Sequence, residues 1–206
     1  MNLATRLLWL RRLGVVCVAT TVVLMGLGAW VKANGAGLSC PDWPACYGEW
    51  APPFPSMESE GSTPGIQGPD EDHAEAYTQA QVLYEWTHRF VAVVLGLIVI
   101  AFAWVAVRGK ELAAPTRQLP VMGLCLVIFQ GVLGGITFRT GNPPWVTTLH
   151  LVSAVIVLLV LAAATAYAFL RPLPIDAAVE APKARKIEFV YPEAQPTTSP
   201  ASDANE

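Results

Sequence analysis

The sequence predicts an all-α integral membrane protein, an up-down bundle of four transmembrane helices with both termini cytoplasmic. Three observations predict it. Only 14% of the 206 residues are charged, where a soluble domain carries about 25%. Four stretches free of Asp, Glu, Lys and Arg approach or exceed the roughly 20 residues a helix needs to cross a hydrocarbon core of about 30 Å. Lys and Arg are confined almost entirely to alternate connections, the pattern that sets membrane orientation.

The elements follow in order. Residues 1–12 read as a cytoplasmic N-terminus carrying Arg6, Arg11 and Arg12. Helix one is expected over 13–31. Its apolar run is longer than the 7–15 residues or so of a signal-peptide core, so a retained helix is expected rather than a cleaved leader. Residues 32–83 form an outer loop with no Lys or Arg between Lys32 and Arg89. Its first part, Asn34 to Trp50, is rich in Gly, Trp and Cys and reads as ordered. Its second part, Ala51 to Glu75, is rich in Pro, Gly, Ser and acids. That composition buries too little apolar surface to offset chain entropy, so a flexible acidic insertion is expected. Helix two is placed over 84–107, with its uncharged part starting at Phe90. The cytoplasmic loop 108–118 holds Arg108, Lys110 and Arg117. Helix three is placed over 119–138, a short outer loop with Arg139 over 139–144, and helix four over 145–170. The tail 171–206 contains Arg171, Lys183, Arg185 and Lys186 and reads as disordered, apart from an apolar patch of Ile187, Phe189, Val190 and Tyr191. A net charge of −3 offers no basic footprint, so no nucleic-acid partner is expected.

Two of the three histidines are placed where they could do chemistry. His73 falls in the acidic insertion and reads as solvated. His88 stands at the outer mouth of helix two, and His150 about one turn into helix four from the same side. Their depths should match. Ionisable groups at membrane depth face the bundle interior or a cavity, and two imidazoles at one depth can ligate a haem iron from opposite faces. The plainer alternative is a pair of interhelical hydrogen bonds. Glu85, three residues before His88, shares its helix face. It reads either as half of an i,i+4 ion pair with Arg89 or as a carboxylate beside a bound haem. In the second role it accepts a proton or stabilises developing positive charge. Arg89 suits a haem propionate, and Arg139 is a weaker candidate for that task. Gln130 is an amide that can bridge helices or touch a cofactor. Gly26, Gly28, Gly131, Gly134 and Gly135 read mainly as sites of close helix packing. Cys40 and Cys46 lie outside, where a disulfide is permitted. It would be either a plain staple or a redox-active bridge. Cys17 and Cys125 read as small apolar residues within helices. Histidines opening helices two and four hint at a repeated two-helix unit, but sequence identity between the halves is too low to claim one.

The run Gly35-Ala36-Gly37-Leu38-Ser39-Cys40-Pro41-Asp42-Trp43-Pro44-Ala45-Cys46-Tyr47-Gly48 resembles the first outer loop of the haem A synthases, the cytochrome oxidase assembly family. Glu85-Trp86-Thr87-His88-Arg89 is similar to that family's Glu-x-x-His-Arg motif. Gln130 to Thr137, followed by His150-Leu151, is similar to its helix three and four pattern. The resemblance covers roughly residues 10 to 170. It implies oxidation of a ring methyl of haem O to the formyl of haem A, for terminal oxidases in the cell membrane, with water supplying the oxygen. It further implies His88 and His150 as axial haem ligands, Glu85 as the essential acidic residue, and Cys40 and Cys46 as the outer-loop pair.

The family pattern has eight helices in two related halves, one holding the substrate haem and the other a resident haem b. The motifs here match the N-terminal half. A homodimer or a second half-length subunit is therefore expected, with a quinone or other electron acceptor. Haem O synthase and the terminal oxidase assembly are the further partners the resemblance implies. The competing readings are a non-catalytic haem-binding delivery subunit, a b-type cytochrome electron carrier, and a purely structural membrane subunit.

Overall fold

The computed structural model describes residues 1–48, 50 and 77–173. The acidic insertion with His73 and most of the tail with its apolar patch lie outside the described residues. Four helices account for most of the described residues: α1 (Leu3–Ala33), α2 (Gln79–Val107), α3 (Ala114–Arg139) and α4 (Pro144–Phe169). All four are long and apolar enough to cross a membrane. Their outer surfaces carry large exposed apolar side chains such as Leu97, Ile128 and Leu159. Helices that are apolar all round suit lipid rather than water.

Each helix begins before its uncharged stretch, and local chemistry explains where. Asn2 caps α1 by accepting from Thr5 N at 2.8 Å, so the helix includes the arginines expected in a separate N-terminal segment. Those arginines fold onto their neighbours. Arg6 donates to the Val105 carbonyl at 3.1 Å and pairs with Glu111 at 3.0 Å. Arg11 donates to the Ala168 and Arg171 carbonyls. The carbonyls of Val105 and Ala168 belong to the last turns of α2 and α4, where intrahelical partners run out and cations are favoured. Thr78 and Gln81 form a reciprocal capping box that starts α2. Prolines stand at the first turns of α3 and α4, where a missing N–H costs nothing.

The helices pack in a ring. Each touches its two neighbours, and the diagonal pairs α1/α3 and α2/α4 make no backbone contact. The ring is built from two equivalent hairpins, which resolves the hint in the sequence. On α2 the residues Leu95, Val99, Phe102, Ala103 and Ala106 are buried. On α4 Val157, Leu161, Ala164, Thr165 and Ala168 are buried. The first set follows His88 at the same spacings at which the second follows His150. Along α1, the buried Leu10, Gly14 and Cys17 precede Gly28 at the spacings by which the buried Thr116, Pro120 and Gly123 precede Gly134 on α3. Both of these helices end alike. Gly35 and Gly141 take positive φ of 63° and 72°. The N–H of each and of the residue after it return to the last-turn carbonyls. This is the paired closure that glycine permits at a helix C-terminus.

The apolar core fills only one half of the ring. Leu7, Leu10, Cys17, Leu95, Val99, Phe102, Ala106, Val157, Leu161, Ala164 and Ala168 form one cluster at the end of the bundle that holds the N-terminus. Gly14 lets α1 press onto Thr165, and Gly123 lets α3 press onto Leu161. The other half, under loops one and three, is built differently.

Candidate functional site

In that outer half the histidines occupy the diagonal helices. Each imidazole rests against a glycine of the preceding helix. A Cβ added at Gly28 would lie 3.1 Å from His88 Cε1, and one at Gly134 would lie 3.6 Å from His150 Cε1. The two rings are close enough to interact electrostatically, and His88 also engages the backbone of Leu24 on α1. The glycines read as helix-packing sites therefore serve another purpose. Gly28 and Gly134 make room for imidazoles and Gly135 for the indole of Trp43, while no neighbouring atom lies within 4 Å of a Cβ added at Gly26 or Gly131.

Nδ1 of His88 and Nδ1 of His150 are buried without a hydrogen-bond partner among the described residues. An unpaired buried nitrogen costs about 1–3 kcal/mol. Two of them, on diagonal helices whose backbones do not meet, fit a ligand that supplies the missing bonds. Haem ligated by two histidines has that chemistry. Gln130 stands beside the second histidine. Its Nε2 donates to the His150 carbonyl at 3.1 Å, and its Oε1 accepts from Ser153 at 2.6 Å. Its amide thus joins α3 to the turn of α4 that carries His150, the helix-bridging alternative of the sequence reading.

Glu85 is buried and belongs to the loop as much as to the helix. Oε1 pairs with Arg89 Nη2 at 2.6 Å. Oε2 accepts from the Ser39 hydroxyl at 2.9 Å and from Cys40 N at 2.8 Å. Arg89 in turn donates to the carbonyls of Asp42 and Ala45, and its guanidinium lies over the Phe138 ring. The ion-pair reading of Glu85 and Arg89 is what the geometry contains, and here the arginine is directed to the loop. Arg139 is exposed at the end of α3.

Loop one is a tight lid over α2. Cys40 and Cys46 form a disulfide with an S–S distance of 2.04 Å, which settles the pairing left open above. Both cysteines are buried against Tyr77 and Val82. Asp42 accepts from the N–H groups of Tyr47 and Gly48, closing the turn. Trp43 reaches across to α3, its ring 3.2–3.3 Å from where a Gly135 Cβ would stand. Loop three meets loop one at Gly37, which faces the Asn142 amide. Cys17 is buried in the inner core, and Cys125 is exposed on α3. The sequence reading missed Ser39 and Ser153. The only signal for Ser39 was its place beside Cys40 in the loop motif, and Ser153 stands three residues past His150 with nothing to single it out.

Comparisons with known proteins agree on one family. The family model described as cytochrome oxidase assembly protein matches residues 11–191. A haem A synthase of Shewanella oneidensis is 33% identical over 146 residues, covering 71% of this chain and 41% of that protein. A haem A synthase of Shouchella clausii is 29% identical over 142 residues, covering 68% of this chain and 40% of that protein. One of Beijerinckia indica is 30% identical over 138 residues, covering 66% and 35% respectively. The chain thus spans about two-fifths of the length of these curated relatives or slightly less. No solved structure matches the chain significantly.

Proposed function

This chain belongs to the cytochrome oxidase assembly protein family, and from that premise we propose that it takes part in oxidising haem O to haem A. The observation that carries the proposal is the pair of buried imidazole nitrogens, on the two diagonal helices, that have no partner among the described residues. His88 and His150 are the axial ligands, and the substrate brings the iron that they hold. Glu85 is the acidic residue on which the oxidation depends, kept at the outer mouth by Ser39, Cys40 and Arg89. The change from ring methyl to formyl takes its oxygen from water and releases protons and electrons.

The electrons need an outlet. One histidine pair accounts for one haem, so a second centre, a haem b held by another copy of the chain or by a separate subunit, completes the unit before a quinone or other acceptor. The distribution of Lys and Arg supports a multi-pass protein of the cell membrane with both termini cytoplasmic and loops one and three outside. Haem O synthase and the terminal oxidase assembly are the partners upstream and downstream.

The test is expression with a source of haem O, followed by chromatography of the extracted haems. Haem A or hydroxylated haem O is the expected product. Bound haem B without product would instead support a delivery subunit, and rapid reduction by quinol without a change of haem type would support an electron carrier. Purified protein without haem absorbance would overturn the haem reading itself.

A further inference from the structure

We propose that Ser39 is a positioning residue for this reaction, its hydroxyl setting the direction of the Glu85 carboxylate. The assignment rests on the reading of Glu85 given above. Ser39 is fully buried. Its Oγ stands 2.9 Å from Glu85 Oε2, 2.8 Å from the Ala36 carbonyl and 3.0 Å from the Gln81 carbonyl. One hydroxyl hydrogen faces three acceptors. The charged acceptor forms the strongest of the three bonds, so the hydrogen belongs to Oε2, and the carbonyls hold the oxygen at the junction of loop one and α2.

Two features separate this role from that of a structural hydroxyl. The first is that the loop is anchored without it. The disulfide, the two carbonyls gripped by Arg89, the bond from Gln81 Nε2 to the Asn34 carbonyl and the Trp43 ring on Gly135 all hold loop one independently of the Ser39 side chain. The second is that the carboxylate is not equally secured. Oε1 is fixed by Arg89, whose own position is set by the loop. Among the described residues, Oε2 has only Ser39 and the Cys40 N–H as donors. Removing the hydroxyl leaves Oε2 with one neutral donor, the Cys40 N–H, so the carboxylate is less tightly directed about the Arg89 pair. A misdirected acid–base group loses rate without losing substrate affinity.

The test compares S39A, S39T and wild type for haem content, kcat, KM and the ratio of hydroxylated intermediate to haem A. S39A is expected to keep wild-type haem content and KM and to lose about tenfold in kcat, the scale of one hydrogen bond to a charged group, with intermediate accumulating. S39T, which keeps the hydroxyl, is expected to recover most of that loss. Thermal midpoints of haem-loaded S39A, E85Q and the double variant give a second reading, in which the double variant falls by less than the two single losses together. S39A at wild-type kcat, S39T no better than S39A, loss of haem from S39A, or strictly additive midpoint losses would each overturn the assignment. If wild type converts haem O and E85Q does not while S39A is unaffected, the assignment fails alone. If wild type yields no oxidised haem, the functional reading fails and takes the assignment with it.

Discussion

The α1–α2 hairpin and the α3–α4 hairpin share a plan and differ in what surrounds the histidine. Each places an imidazole against a glycine of the preceding helix, above a buried stripe with one spacing. Three residues before His88 stands Glu85, and one residue after it stands Arg89. The same places around His150 hold Thr147 and Leu151. Thr147 also bonds its outer loop, donating to Asn142 at 2.7 Å, but it carries no charge. Loop one is long enough to bring Ser39, Cys40 and two carbonyls back onto α2, whereas loop three passes directly from Asn142 into the first turn of α4. The two hairpins are equivalent as a mount for a ligand between them and unequal in chemistry. On the proposed reading, symmetry serves binding, and the departure from it marks the reactive side.

Substitutions at matched positions break or sharpen that comparison. The largest expected difference lies between E85Q and T147V. E85Q should lower haem A formation by about a hundredfold or more, the scale of a lost acid–base group, and retain haem. T147V should stay within about threefold of wild type, because it removes only the uncharged hydroxyl contacts to Asn142 and the Pro143 carbonyl. Equal losses in the two would erase the assigned asymmetry. Next, H88A and H150A should each lower haem retention by about tenfold or more, and to similar extents, read as haem absorbance per protein after purification. A large inequality would show that the shared plan does not extend to ligation.

The inner half offers a smaller effect of a different kind. Phe102 on α2 and Ala164 on α4 are equivalent positions, one large and one small, in one cluster. F102A should lower the stability of the detergent-solubilised protein by ~3–5 kcal/mol, whereas A164G should cost only about 1 kcal/mol, as measured by denaturant unfolding. The smallest effect is expected at the Arg6–Glu111 pair. The carboxyl of Glu111 is held below its ordinary range, first by its own backbone N–H and then by the Arg6 charge. A depressed carboxyl contributes stability above its unfolded pKa and loses it as pH falls through the folded value. E111Q should therefore show a slightly lower melting temperature than wild type at neutral pH, and the gap should close on acidification.

Much of this was legible in the sequence. Uncharged runs gave the four helices, since nothing but a helix satisfies backbone groups in lipid over that length. The places of His88 and His150 near the starts of α2 and α4 followed from the residue count. What was not legible has physical causes. The helix starts were displaced because caps and arginine–carbonyl bonds act outside the apolar stretch. The repeat was hidden because burial in this ring asks for small or apolar side chains of any identity: Leu95 answers to Val157 and Phe102 to Ala164. Its clearest written trace was the pair of glycines seven apart, Gly28 with Gly35 and Gly134 with Gly141. The partners of Glu85 depend on how loop one folds back, which no periodicity encodes.

The filled inner half makes the bundle a flask stoppered at one end. Phe102, Leu10, Val99 and Leu161 are fully buried there, so among the described residues the inner end of the bundle is packed with apolar side chains beneath the histidines. On the proposed reading, a step beside the histidines would exchange water and protons with the side that loops one and three face. That reading would set the reaction apart from the acidity of the opposite side.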